Sequence, residues 1–341
     1  DYYKWSSLFL IIYCYMQKII ILICIVLFAS CSSLPESVGK DNEIIVISSP
    51  EDKPFVERLM IDLFSHAIHT PQPELEFSLH YKNPWEIEKV KKYGNIIIVS
   101  LDFPQDSTGD YLMQRFLQTH KKEEALFVLG DLYAKNQVIC GIHTLDAISM
   151  ENEINSNREW ILHEFREILE TRMTLNIFKH GNNITLSKQV LKMFGYTLDL
   201  QPDYKIIKSD SLQPFIWMGR GFPYRWITIH KSEKSKYTQK DEAWDQLTIE
   251  FSDLMPHIRI GNYMRSVARH QYGDKTAHIM RGVYEHDESE SGGPFFVYIF
   301  ETDSVNEVIL VSGFVNYPGN EKLLLLKQLE IIAKTLHKGD T

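Results

Sequence analysis

Apolar and polar positions follow a regular order in the first half of the chain. Ile44–Ile47 and Asn95–Leu101 are continuous apolar runs, typical of strands that are buried on both faces. Pro54 opens a segment whose apolar residues recur at helical spacing, and residues 75–79 alternate as a half-buried strand does. A short helix over 85–92 precedes the second run. This pattern predicts a β-α-β-α-β opening.

A hairpin and two helices follow this opening. Ala125–Leu129 and Gln137–Ile142 have the composition of a strand pair with a turn between them. Asn157–Phe178 is the longest helical pattern, and Leu186–Phe194 is a shorter one that ends at Gly195. We place a boundary between two lobes here, at residues 180–197.

The second half of the chain favours antiparallel strands interrupted by one amphipathic helix, with a second helix at its end. The helix covers Ala243–Met255 and is closed by Pro256, and the final helix follows Pro318. The predicted strands are Thr197–Ile207, Phe215–Gly219, Tyr224–His230, His278–Glu285, Pro294–Glu301 and Glu307–Val315.

The segment Met16–Cys31 has the three parts of a bacterial lipoprotein signal. Lys18 supplies the positive charge, Ile19–Phe28 the apolar run, and two small residues precede Cys31. We predict that Cys31 is lipidated and that residues 1–15 are a translated upstream extension. In the alternative, one transmembrane helix includes residues 8–29, but Lys18 near mid-membrane would then cost about 2.5–3.5 kcal/mol.

These patterns together predict an α+β (mixed α/β) fold with two sheet-and-helix lobes after the signal and a short tether. The predicted divisions are an extension at 1–15, a signal peptide at 16–30, a tether at 31–42, an N-terminal β-α-β lobe at 43–180, a connecting helix at 181–196 and a C-terminal antiparallel α+β lobe at 197–338.

Charge and cysteine content narrow the range of functions. The 341 residues carry a net charge of −9, and removal of residues 1–30 leaves −10. An acidic balance argues against a nucleic-acid partner. Once Cys31 is lipidated, Cys140 is the one remaining cysteine, so the sequence predicts no disulfide framework.

Known catalytic and cofactor motifs are missing from the sequence after residue 31. It contains no phosphate-binding glycine loop, no nucleophile elbow, no paired-histidine zinc helix and no C-x-x-C. His163 and Glu167 lie one helical turn apart but lack a second histidine, so we interpret them as a solvated face. The sequence therefore predicts no cofactor and no metal site, and it identifies no catalytic residue.

Two basic surfaces are candidates for binding. The first is the hairpin that carries Trp217, Arg220, Arg225, Trp226 and His230, whose aromatic and guanidinium groups could stack on a sugar or peptide and bind a carboxylate or phosphate. In the alternative, both tryptophans belong to the core and the arginines lie along apolar surface.

The second candidate is an anion patch formed by Arg259, Arg265, Arg269 and Arg281. No acidic residue occurs between Asp253 and Asp274, so this stretch is basic although the chain as a whole is acidic. It could receive a lipid headgroup or a wall polymer. The alternative is a face whose charges are balanced by other parts of the fold.

The order of several phrases resembles an uncharacterised family of bacterial envelope lipoproteins, known only as a domain of unknown function. The phrases are VGKDNEIIVIS, YAKNQV, YTLDLQPDYKIIKSDSLQPFIWMGR, GNYMRS and GGPFFVYIFETD, followed by ILVSGFVNYPGNEKLLLLKQLE. The resemblance covers nearly all of residues 40–338. It implies export, lipidation and an envelope role, and it supplies no active site.

We therefore expect an exported, lipid-anchored protein that binds a ligand or assembles with a partner at the outer membrane, facing the periplasm or the cell surface. Its partners would be the membrane, through the anchor, and an envelope polymer or envelope protein. The alternative is a hydrolase of envelope polymers that uses a carboxylate pair.

Overall fold

The computed structural model describes residues 34–121, 123–272, 275–287 and 291–339. Within these ranges the predicted α+β architecture is confirmed, with one sheet in each half of the chain, each packed against helices. The predicted signal peptide, the extension before it and Cys31 lie outside the described residues.

The sheet of the N-terminal lobe has five strands in the order β4-β1-β5-β7-β6. The first four are parallel and β6 is antiparallel to β7. All seven residues of β5 are buried, as its continuous apolar run predicts. The strands are β1 (Glu43–Ile47), β4 (Ser78–Lys82), β5 (Asn95–Leu101), β6 (Leu126–Gly130) and β7 (Val138–Thr144).

Four helices cover this sheet: α1 (Lys53–Phe64), α2 (Ile87–Val90, after a 3-10 turn at Pro84–Glu86), α3 (Ser107–His120) and α4 (Ala147–Phe178). Helix α3 was not predicted, although Leu112, Met113 and Phe116 recur at helical spacing on its buried face.

Three other elements differ from their predicted extent. The strand predicted over Thr197–Ile207 is two separate strands, Tyr196–Thr197 and Lys205–Asp210. Helix α4 begins ten residues earlier than the pattern predicts, because Asp146 caps it by accepting a hydrogen bond from the Ser149 N–H at 2.8 Å. The strand predicted over 75–79 is interrupted: a small hairpin of β2 (Ala67–His69) and β3 (Pro73–Leu75) ends there, and β4 follows. The interruption buries Glu76 and exposes Leu75, the reverse of the predicted alternation.

The sheet of the C-terminal lobe has eight strands, all antiparallel. Its order is β12-β14-β15-β16-β11-β10-β9. Strand β13 also pairs with β14, at a different part of that long strand from β12. The strands are β9 (Lys205–Asp210), β10 (Phe215–Arg220), β11 (Tyr224–Glu233), β12 (Ile258–Ile260), β13 (Ser266–Tyr272), β14 (Lys275–His286), β15 (Ser291–Glu301) and β16 (Glu307–Asn316); β8 (Tyr196–Thr197) pairs separately with β17 (His337–Lys338).

Helices pack on both faces of this large sheet. Helix α6 (Lys240–Leu254) follows a 3-10 turn at Lys234–Tyr237 and covers one face, where Phe251 packs against Phe295 and Phe314. Helices α5 (Ile184–Phe194) and α7 (Leu323–Lys334) share the core on the opposite face with α4. The two lobes therefore share one hydrophobic core.

The start of the described chain is attached to the N-terminal lobe. The Lys135 N–H donates to the Pro35 carbonyl at 2.9 Å, and the Val38 N–H donates to the Lys92 carbonyl at 2.9 Å. Residues 35–38 belong to the predicted tether, so the part of the tether that is free of the lobe is shorter than predicted.

Among the described residues, no helix combines the length and the apolar character needed to cross a membrane.

Candidate functional site

A cleft of about 1200 Å³ lies between the two lobes. Helices α4 and α7 form two of its walls, strands β13 to β15 a third, and the β2 hairpin closes one end. Its apolar surface includes Leu169, Ile279 and Leu326, and charged side chains of both signs surround that surface. We call this recess the interlobe cleft.

Glu76 is the most buried charged group of the interlobe cleft, at 4 % exposure. Arg166 donates to its Oε2 through Nε at 2.9 Å and Nη2 at 2.8 Å, and Lys327 donates to Oε1 at 2.9 Å. Burial opposes the charged carboxylate, but Lys327 and Arg166 outweigh burial and lower the pKa of Glu76 below its ordinary value. Glu76 is therefore a fixed negative charge between two lobes.

Two further ion pairs line the same cleft. Arg281 binds Glu330 at 2.9 Å, and Lys334 binds Glu170 at 2.8 Å. Burial disfavours the charged Arg281, but the neighbouring Glu330 outweighs it and raises the pKa of the guanidinium. The cleft thus presents alternating charges that are held in place by their partners.

The five residues of the candidate hairpin surface are not brought together. Trp217 and Trp226 stack edge to face at 5.6 Å and pack on the core beneath α6. Arg225 donates to Gln328 of α7 at 2.7 Å, on the other face of the sheet. Side chains of a strand alternate between faces, so β10 and β11 divide this set.

Arg220 and His230 are also bound to other parts of the fold. Arg220 pairs with Asp203 at 2.6 Å and lies over the ring of Tyr204, which is buried. His230 Nε2 lies 3.1 Å from Glu250 of α6, below the surface of the lobe. The two tryptophans therefore pack on the core, as the alternative interpretation of this hairpin predicts.

The four arginines of the candidate anion patch are also dispersed. Arg259 pairs with Asp287 at 2.7 Å, and Arg265 stacks on Trp244 at 4.8 Å. Arg265 and Arg281 both reach the interlobe cleft, whereas Arg269 lines a separate recess near Asp303. Their acidic and aromatic partners come from distant parts of the sequence, so the local excess of basic residues does not produce one basic patch.

His163 and Glu167 lie at the exposed rim of the interlobe cleft. No third metal-ligating side chain joins them in the described ranges. Cys140 is fully buried, and burial raises the pKa of its thiol to about 12, so it remains protonated and unreactive at neutral pH.

A second polar site lies at the carboxyl ends of the parallel strands. Asp52 is completely buried, and its Oδ2 accepts the Leu101 N–H at 3.0 Å. Burial is the largest cause that raises the pKa of Asp52 to about 6, and nearby Asp106 adds to it. The available sequence signal for this site is that aspartates follow the two buried strands β1 and β5. Because α3 was not predicted, the sequence did not show that these aspartates lie close together.

Comparison with known proteins gives two family matches. A domain of unknown function (DUF8532) matches residues 37–177, and a second domain of unknown function (DUF4837) matches residues 183–335. The expected resemblance to uncharacterised domains is thereby confirmed, in the form of two domains of unknown function that follow one another. No curated protein matches the chain.

Solved structures resemble parts of the chain only distantly. A crystal structure from Bacteroides thetaiotaomicron VPI-5482 is 11% identical, with a TM-score of 0.27, and the match covers 42% of this chain and 45% of that one. The Saccharomyces cerevisiae Ran-binding protein Mog1p is 12% identical, with a TM-score of 0.32 and coverage of 43% and 91%. The chain thus spans less than half of the Bacteroides protein.

Proposed function

We propose that this chain, which joins two domains of unknown function, is an exported and lipid-anchored envelope protein that binds its ligand in the interlobe cleft. The observation that carries the proposal is the combination, in one recess of about 1200 Å³, of an apolar surface with paired charges of both signs. Ligand sites in proteins are usually concave, largely apolar and equipped with a few fixed polar groups.

The charges indicate the class of ligand. Glu170 and Glu330 offer acceptors for ammonium groups, and Arg166, Arg281 and Lys327 offer donors for carboxylates. A ligand with carboxylates, amines and short apolar side chains fits such a surface. In an envelope protein, the peptide part of a wall polymer has this chemistry.

The carboxyl groups support binding in preference to hydrolysis. An acid catalyst for glycoside hydrolysis needs a raised pKa, whereas the pKa of Glu76 in the cleft is lowered. Asp52, a carboxyl whose pKa is raised, is buried elsewhere and does not line the cleft. Glu76, the most buried carboxyl of the cleft, is therefore not suited to act as that acid.

Filling the cleft should weaken binding. Ser266 lies in its wall opposite Arg281, and the variant Ser266→Trp would occupy the space above the apolar surface. We expect the affinity for solubilised peptidoglycan peptides, measured by isothermal titration calorimetry, to fall at least tenfold. Leu212→Trp is the matched control, because Leu212 is 94 % exposed in the turn between β9 and β10. Equal affinity in both variants would exclude the cleft as the binding site.

The anchor can be tested separately at Cys31. The variant Cys31→Ser removes the thiol that we propose is acylated. Two or more acyl chains would then be lost, and burial of each CH₂ in the membrane contributes about 0.8 kcal/mol. We expect the variant to keep the precursor mass, because its signal peptide is not removed, and to carry no acyl chain. A variant that still fractionates with membranes and has a processed N-terminus would contradict lipidation at this residue.

A further inference from the structure

We infer that the carboxyl edge of the N-terminal sheet holds a divalent transition-metal ion, bound by Asp102, Asp110 and His143. Asp102 directly follows β5, His143 is the penultimate residue of β7, and Asp110 lies in the first turn of α3. The helix returns over the two neighbouring strands and brings the three side chains to one point.

The distances fit a single ion. One ligand atom from each of the three side chains lies within 4.8 Å of the other two. Atoms that bind one ion at about 2.1–2.4 Å are at most about 4.8 Å apart. His143 Nε2 and Asp102 Oδ1 are 3.2 Å apart, a separation that adjacent ligands of one ion have. Asp110 Oδ1 also accepts a hydrogen bond from Gln114 at 3.2 Å.

Ser100 provides independent support from beneath the three ligands. It lies two residues before Asp102 and opposite His143 in the strand register, so the three side chains share one face of the sheet. Ser100 is 0 % exposed, and its Oγ has no hydrogen-bond partner among the described residues. A buried hydroxyl without a partner costs free energy, and water bound to a metal above it would supply that partner.

Asp106 adds a second buried oxygen without a partner at the same edge. Its Oδ1 caps α3 by accepting the N–H groups of Thr108 and Gly109 at 2.7 Å. Its Oδ2 is buried and receives no hydrogen bond from the described parts of the chain. The segment 102–110 therefore gathers three carboxylates whose negative charge a cation would balance.

The ligand set selects the type of ion. Imidazole suits zinc and its neighbours, while carboxylate oxygens also suit manganese. Asp102 and Asp110 are exposed, which leaves coordination positions open to water or to an oxygen of a further ligand. We therefore expect Zn²⁺ or Mn²⁺ rather than Mg²⁺ or Ca²⁺.

Titration of chelator-treated full-length protein with ZnCl₂ and with MnCl₂ tests the site by calorimetry. We expect one ion per chain, at least tenfold weaker binding in His143→Ala and in Asp110→Asn, and a rise in Tm with metal that both variants lose. His80→Ala is the matched control, because His80 forms a similar pair with Glu43 at 3.4 Å on a different strand.

Circular dichroism without metal would show that each variant is folded before it is titrated. Absence of binding to the unmodified protein at micromolar metal would overturn the inference. So would equal affinity of the unmodified protein, His143→Ala and Asp110→Asn. The cleft and the anchor are tested by other variants, so failure here leaves the proposed function unaffected.

Discussion

Removing both cations around Glu76, in the double variant Arg166→Met and Lys327→Met, should lower the free energy of unfolding by about 3–5 kcal/mol. The Glu76 side chain is 5 % exposed, whereas those of Arg166 and Lys327 are 38 % and 23 % exposed. The double variant would leave a buried carboxylate without a counter-charge, which is the costly outcome. Methionine has an apolar side chain similar to the stems of arginine and lysine. The change in the free energy of unfolding, measured in urea at pH 7, would therefore report mainly the loss of the two charges.

Each single variant leaves Glu76 one cation, so the two single effects should sum to less than the double effect. The difference in stability between the parent protein and the double variant should narrow as the pH falls below about 4.5, the ordinary pKa of a glutamate. The lowered pKa of Glu76 in the parent protein means that its stabilisation is present above the unfolded pKa and is lost on acidification.

The matched control is Arg58→Met, since Arg58 pairs with Glu151 at 3.2 Å on the surface and should cost at most about 1 kcal/mol. Additive single effects, or a double variant as stable as this control, would show that Glu76 is not held by these cations.

Replacing Glu250 with glutamine should destabilise the C-terminal lobe by about 2–4 kcal/mol. Its Oε1 accepts hydrogen bonds from Ser232 at 2.5 Å and Gln246 at 2.7 Å. Its Oε2 accepts one from Tyr237 at 2.5 Å and lies 3.1 Å from His230 Nε2. A glutamine would present an NH₂ donor to one of these two sets of donors. Thermal and urea unfolding of Glu250→Gln would measure the loss.

The same variant should change the acid side of the stability profile. Burial opposes the charge of Glu250, but hydrogen bonds from His230, Ser232 and Tyr237 outweigh it and lower its pKa to about 2. The stabilisation is therefore complete above about pH 4.5 and is lost as the pH falls toward 2. The stability of Glu250→Gln should decline less steeply over this range.

Asp245→Asn is the control for Glu250→Gln, because Asp245 is exposed on the same helix and should change stability by at most about 0.5 kcal/mol. A Glu250→Gln protein with unchanged stability at pH 7 and an unchanged acid profile would contradict the role given to this network.

The hydrophobic pattern alone was sufficient for the long and strongly periodic elements. β5 is buried on both faces, and its five apolar residues, four of them consecutive, predict that directly. The pattern failed where burial depends on contacts between distant residues. Glu76 is an example: alternation places it on the outside, yet Arg166 and Lys327, 90 and 251 residues away, neutralise it inside.

Candidate sites were harder to predict than helices and strands. A site depends on the direction in which each side chain points as well as on its position in the sequence. Trp226 and Arg225 are adjacent in sequence, and that proximity suggested one binding surface. The two strands place them on opposite faces, one beneath α6 and the other against α7. Asp102 and His143 are 41 residues apart in sequence and are brought to 3.2 Å by parallel pairing of β5 with β7.

The sequence by itself determined the mixed α+β class, the two sheets, the buried strands and the uncharacterised family, because periodicity and phrase order are local properties of the chain. Only the tertiary structure decided where charge and chemistry lie: the interlobe cleft, the burial of Glu76 and Glu250, and the three possible ligands at the carboxyl edge. The physical reason is that a charged side chain is buried only beside a partner, and its partner is chosen by strand order and helix packing rather than by neighbouring sequence.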